Sequence, residues 1–198
     1  MALRSLYLIR HGQHHSETLV EDPLGTHLTP MGQEQVLLTA YRLRELAVQN
    51  IHFSSMYRTA ETALRIANIL CEVTPGIKLH HSKGLWECIP SVPEKLAEDF
   101  AMMYSTQELA SGEQHAQKVF DRYFKRALGE DKTEIIVSHG NLIRYLVLRA
   151  LQVSPQAWIN MEINNCGVSQ IVIKPDGEMK LISYNDVGHL PAHLRTFI

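Results

Sequence analysis

Ser5 to Ile9 (SLYLI) is a nearly continuous apolar run between Arg4 and Arg10. A strand covered on both faces has this look, because neither side of the pleat faces water. After a polar loop, Thr29-Pro30 predicts a helix start: the hydroxyl caps, and proline at the first position gives up an N–H that has no helical partner. The helix is expected to run to about Gln49. Ile51 to Ser54 reads as a second strand, and Tyr57 to Leu70 as a helix, with Ala60, Ala63, Leu64, Ala67 and Leu70 at helical spacing. Lys78 to His81 predicts a short edge strand. The loop GLWECIPSVP follows, then helices near Pro93 to Tyr104 and Gly112 to Leu128, the second with a capping box from Ser111 and Gln114 and an exit at Gly129. Thr133 to Ser138 is again an apolar strand, ending at His139-Gly140 before a helix over Asn141 to Leu151. Val168 to Ile173 and Met179 to Tyr184 flank Pro175-Asp176-Gly177 and predict a hairpin. Strands alternating with helices and closed by an antiparallel pair predict a three-layer α/β/α sandwich. Its central sheet is mostly parallel, with a C-terminal antiparallel hairpin, in one domain over residues 1–198.

Composition narrows the function classes. The chain has 198 residues, 45% of them hydrophobic, enough for one sizeable core. Its 19 basic and 21 acidic residues are interspersed, without the basic block or aromatic-basic stripe that grips nucleic acid. Three cysteines, Cys71, Cys88 and Cys166, are odd in number and outside any CxxC spacing, which argues against a disulfide framework or a structural zinc. No apolar stretch reaches the roughly 18 residues of a membrane span, and the first strand is too short for a signal sequence. These features predict a cytoplasmic protein that does not act at a membrane.

Two strands end alike, in IRHG at residues 9–12 and SHG at residues 138–140. Ligands of open α/β sheets bind at the carboxyl ends of strands, so His11 and His139 are expected in one crevice, with Gly12 allowing close backbone approach. His27, His52, His80, His81, His115, His189 and His193 have no such setting and read as surface or satisfied core residues. Arg58, near the start of the helix after the second strand, is placed to join Arg10. Two guanidinium groups beside two imidazoles suit a tetrahedral dianion, because the planar fork matches phosphate oxygens.

LIRHG, LTPMGQEQ, SSMYRTAETA, the acid in LWE and VSHGNLIRYLVLRAL follow one another along nearly the whole chain. In that order they resemble the histidine phosphatase superfamily, also called the phosphoglycerate mutase-like family. RHGQHH, SSMYRTAET and NLIRYLVLRALQVSPQAWINMEINNCGVSQIVIKPDG carry a closer likeness to its serine/threonine protein phosphatase members. The resemblance implies hydrolysis through a phosphohistidine on His11. Arg10, Arg58 and His139 would hold the phosphoryl oxygens, with Gly12 and Gln13 near the phosphate, and Glu87 would act as general acid and then base. It implies no metal and no cofactor. Trp86 and Cys88 depart from the arginine and glycine expected beside the acid in the closest relatives, a difference that bears on substrate choice.

His14 and His15 are adjacent, have no carboxylate at ligand spacing, and read as loop residues rather than metal ligands. Ser55 joins Gln13 as a possible extra donor, and Cys88 reads as an inert thiol. The segment between Glu87 and His139 has room for two helices but no large lid, so the site is expected to be open and suited to a phosphorylated protein. Small phosphomonoesters, phosphohistidine, a mutase reaction and a non-catalytic binding role are the other classes. NDVGHLPAHLRTFI reads as an extended tail that packs across the site or a neighbouring subunit. Trp158, Ile159 and Met161 fit a core as well as a homodimer interface.

Overall fold

The computed structural model describes residues 2–15 and 22–197. Strand β1 (Arg4–Arg10) leads to helix α1 (Pro30–Leu43), β2 (Asn50–Ser54), α2 (Tyr57–Leu70) and β3 (Lys78–Ser82). Helices α3 (Ala97–Met103) and α4 (Thr106–Tyr123) precede β4 (Lys132–Ser138) and α5 (Gly140–Ala150), and β5 (Val168–Ile173) and β6 (Met179–Asp186) close the order. The six strands form one sheet in the order β3-β2-β4-β1-β5-β6. β1, β2, β3 and β4 run parallel, whereas β5 is antiparallel to both β1 and β6.

The period of two along each inner strand divides the core between the two faces of the sheet. Ile9, Ile135 and Val137 pack with Val36 and Ile66 of α1 and α2; Leu6, Leu8 and Ile136 pack with Val119, Leu142 and Leu146 of α4 and α5. Thr29 caps α1 by accepting from the Gly32 N–H at 3.0 Å. That helix stops at Leu43, short of the expected Gln49. Val48 follows Leu43 by five residues, which would carry it about 140° around a helix from the Leu43 stripe. Tight turns instead bury both side chains.

The capping box also moves. α4 begins at Thr106, with Ser105 accepting from the Glu108 N–H and Glu108 accepting from the Ser105 N–H. Ser111 lies inside the helix and donates to the Glu108 carbonyl. Ser105-Thr106-Gln107-Glu108 has the same spacing as Ser111 to Gln114 and offers a charged acceptor, the stronger partner for an N–H. α4 ends at Tyr123, and Gly129, with φ +87, serves the loop beyond it.

α1 lies so close to the loop after β1 that a Cβ on Gly32 would fall 2.0 Å from the Gln13 carbonyl oxygen, and one on Gly12 would fall 2.7 Å from that of Gly32. Two bare Cα atoms therefore let the helix press on the loop that carries His11. At the other end of the sheet, Glu134 is almost fully buried and accepts from Arg4 and from Asn50 Nδ2, with His52 Nε2 at 3.5 Å. Burial alone would raise its carboxyl, but His52 and Arg4 hold it down to about 2. A depressed carboxylate stabilises the fold above its unfolded value, near 4.5, and that contribution is lost as pH falls toward 2. Glu134→Gln is expected to cost about 3 kcal/mol in urea unfolding at neutral pH, by stranding Arg4, and to flatten the loss of stability between those two values.

Candidate active site

The sheet brings four segments to one rim. Register places Arg10 beside Ser138, and the His11 N–H donates to the Ser138 carbonyl at 3.1 Å. β2 ends at the same edge with Ser54, and the antiparallel β5 brings Ile163 to Gly167 there, its Cys166 N–H donating to the Arg10 carbonyl at 3.0 Å.

His11 is buried, and its two nitrogens have opposite partners. Nδ1 lies 2.8 Å from the Gly12 carbonyl, which can only accept; Nε2 lies 3.2 Å from Arg58 Nε, which can only donate. The ring therefore carries its proton on Nδ1 and a lone pair on Nε2. Burial, followed by His139, Arg10 and Arg58, pushes its pKa well below the usual 6.5 and keeps it neutral at physiological pH. His139 stands 5.2 Å away, ring centre to ring centre, and is fully buried. Burial, followed by Arg58 and Arg10, keeps it neutral as well. Its Nε2 is 2.9 Å from Ser54 Oγ. That hydroxyl can donate to Nε2 while its oxygen accepts from the Met56 N–H at 3.4 Å, and in this arrangement the proton of His139 lies on Nδ1.

His139 Nδ1 and Arg10 Nε are both buried without a hydrogen-bond partner among the described residues. Each such group costs about 1–3 kcal/mol unless something meets it. Donors of this kind beside a neutral imidazole lone pair suit an oxyanion with a tetrahedral centre. Glu87 completes the rim. It accepts from the Cys88, Asn141 and Leu142 N–H groups at 3.2, 3.3 and 3.3 Å, the last two in the first turn of α5. Crowding by protein raises its carboxyl above the ordinary value, against the pull of those N–H groups and of Arg10, although solvent still reaches it. A cavity of about 550 Å³ adjoins it, walled by Trp86, Ile89, Tyr104, Glu108 and His115.

Arg10, His11, Arg58, Glu87 and His139 thus come together. Gly12 and Gln13 take other parts than direct contact through their N–H groups: Gly12 donates to Thr62 Oγ1 and Gln13 to Gln35 Oε1. The Gln13 side-chain oxygen accepts from Thr29. Ser55 accepts from Trp86 Nε1, which anchors the indole beside Glu87. Burial and the Glu87 charge push the Cys88 thiol well up, so it lacks the thiolate needed to react. His14 is closer to the site than its sequence setting implied, its ring 5.1 Å from that of His11 and its Nδ1 by Thr26 Oγ1. Ser54, Thr62, Asn165 and Gln35 were not legible as site residues. Ser54, a polar residue ending an apolar strand, carried a faint signal; the others meet the site only through tertiary contacts.

Among the described residues no helix is long and apolar enough to cross a membrane. The chain is 36% identical over 99% of its length to the mitochondrial serine/threonine-protein phosphatase Pgam5 of Caenorhabditis elegans, and 34% identical over 96% to that of Homo sapiens. It spans 67% and 65% of their lengths. These relatives are named as mitochondrial, so the expected cytoplasmic setting finds no support in them. In fold it matches phosphoserine phosphatase of Entamoeba histolytica in complex with 3-phosphoglyceric acid, with a TM-score of 0.71 and 22% identity, covering 95% of this chain and 100% of the other. The model of the histidine phosphatase superfamily (branch 1) matches residues 6–187. The chain therefore belongs to branch 1 of the histidine phosphatase superfamily, as a phosphoric monoester hydrolase.

Proposed function

We propose that the protein removes phosphate from phosphoserine and phosphothreonine side chains of proteins through a phosphohistidine on His11. The observation that carries the chemistry is the tautomer of His11, which has its lone pair on Nε2 and lies beside two buried polar atoms that lack partners among the described residues. In the first step Nε2 attacks phosphorus in line and the ester bond to the serine oxygen breaks. Glu87 gives that oxygen its proton. Arg58 Nε–H passes from the histidine lone pair to a phosphoryl oxygen as substrate enters, and Arg10 and His139 Nδ1 hold the others. The imidazole becomes positive while bonded to phosphorus, and its Nδ1–H to the Gly12 carbonyl strengthens as that charge grows. In the second step the Glu87 carboxylate takes a proton from water, the oxygen bonds to phosphorus, and the N–P bond breaks to restore neutral His11.

Two observations favour a protein substrate over a small one. Glu87 is solvent-exposed beside an open cavity, so an extended chain can reach it. The Caenorhabditis and human relatives are named protein phosphatases. Exposure also favours hydrolysis over a mutase reaction, which must shield its phosphoenzyme from water. The test is phosphate release from phosphoserine and phosphothreonine peptides, phosphohistidine and small sugar or glycerate phosphates. Peptides are expected to have a kcat/KM at least about tenfold above the others, the effect of roughly one further hydrogen bond to the flanking chain. A small ester or phosphohistidine leading by that margin would reassign the substrate, and conserved ester phosphate would mark a mutase.

A further inference from the structure

Arg10 is held by main-chain carbonyls rather than by a carboxylate. Its Nη1 donates to two backbone carbonyls, Ile163 and Phe197, each at 2.7 Å. A carboxylate partner would neutralise the guanidinium; carbonyls orient it and leave its charge available to an anion. With both Nη1 hydrogens engaged, the fork is turned so that Nε, buried and without a partner among the described residues, remains for a ligand.

The segment that supplies Phe197 is itself fastened to both sides of His11. The amide of Gln35, fully buried on α1, donates to the Leu194 carbonyl at 2.7 Å and to Thr196 Oγ1 at 2.8 Å, while its oxygen accepts from the Gln13 N–H at 2.8 Å. Thr196 Oγ1 donates in turn to Asn165 Oδ1 at 2.9 Å, and Asn165 Nδ2 donates to the His11 carbonyl at 3.1 Å. The Asn165 N–H donates to the Thr196 carbonyl at 2.8 Å. One hydroxyl therefore joins two buried amides, one on each side of the nucleophile loop.

We propose that residues 194–197 are a positioning element of the phosphate site: Thr196, gripped by Gln35 and Asn165, sets the Phe197 carbonyl that aims Arg10. The proposal rests on the reading of this pocket as a phosphate site. A lost bond inside such a network strands a buried amide rather than a solvated one, so its effect is felt where the network ends.

The test is Thr196→Val, which keeps shape and removes the hydroxyl, read by calorimetric binding of inorganic phosphate, by kcat and KM on p-nitrophenyl phosphate, and by thermal unfolding. Phosphate binding is expected to weaken about tenfold, with KM rising and kcat/KM falling by at least that factor. Thr196→Ser is expected to restore both. In an Arg10→Ala background Thr196→Val is expected to change kcat/KM less than about twofold, because the residue acts through Arg10. The proposal is overturned if Thr196→Val binds phosphate as the parent does, or if its loss is the same with and without Arg10. If Thr196→Val does not fold, Gln35→Met, which breaks the same network from α1, is expected to give the same pattern. A parent protein that binds no phosphate would overturn the reading of the site itself, and this inference with it.

Discussion

His11→Ala is expected to lower phosphatase activity by about 10⁴-fold or more, the scale seen when a covalent nucleophile is removed and only binding and electrostatics remain. The reason is local. Arg58 Nε and the Gly12 carbonyl leave the imidazole one tautomer, and burial together with three nearby donors keeps it unprotonated. His139 is neutral too, but its Nε2 is engaged with Ser54 Oγ. Brief exposure of the native protein to a ³²P-labelled phosphomonoester, followed by quenching, should trap an acid-labile, alkali-stable label on His11, and none in the variant. Native-like circular dichroism of the variant would exclude unfolding. Activity within tenfold of the parent would remove His11 as nucleophile.

Glu87→Gln is expected to lower kcat by about 10²–10⁴-fold on alkyl phosphoesters such as phosphoserine peptides, and far less on p-nitrophenyl phosphate in the first step. A serine alkoxide is a poor leaving group without a proton, whereas p-nitrophenolate leaves unaided. The pH dependence follows from the direction of the shift. Glu87 must carry a proton to donate it, and crowding raises its carboxyl above the ordinary 4.5. The protonated fraction is therefore full below that raised value and declines as pH climbs through it. On alkyl esters the first step, read as the single-turnover phosphorylation burst, should slow with rising pH. Glu87→Gln should abolish that slope, and p-nitrophenyl phosphate should not show it. An alkyl ester whose burst is independent of pH through this range would rule out Glu87 as the proton donor. His11 makes no competing contribution at neutral pH, since its depressed pKa places its protonation well below 6.5.

The elements and the candidate site residues were legible in sequence for different reasons. Buried parallel strands show as apolar runs, and Thr29-Pro30 and Pro175-Asp176-Gly177 act through local backbone chemistry that needs no tertiary partner. Where two local signals competed, the sequence was a poorer guide. Ser105-Glu108 and Ser111-Gln114 both fit a capping box, and the charged acceptor decided between them. The end of α1 was set by where Val48 could be buried, which depends on the sheet beneath it.

At the site, the chain order of LIRHG, SSMYRTAETA, LWE and SHG pointed, through the family resemblance it carries, to Arg10, His11, Arg58, Glu87 and His139 as candidates, and the fold brings these five to one rim. What each atom does was decided only in three dimensions. The proton position on His11 depends on Arg58 from another helix, that on His139 depends on Ser54 from another strand, and the aim of Arg10 depends on a carbonyl 187 residues away in the chain. Local sequence determined which groups arrive at the rim, since strand and turn formation are short-range. Tertiary structure decided their protonation, orientation and partners, because hydrogen bonds and burial join residues that no spacing along the chain relates.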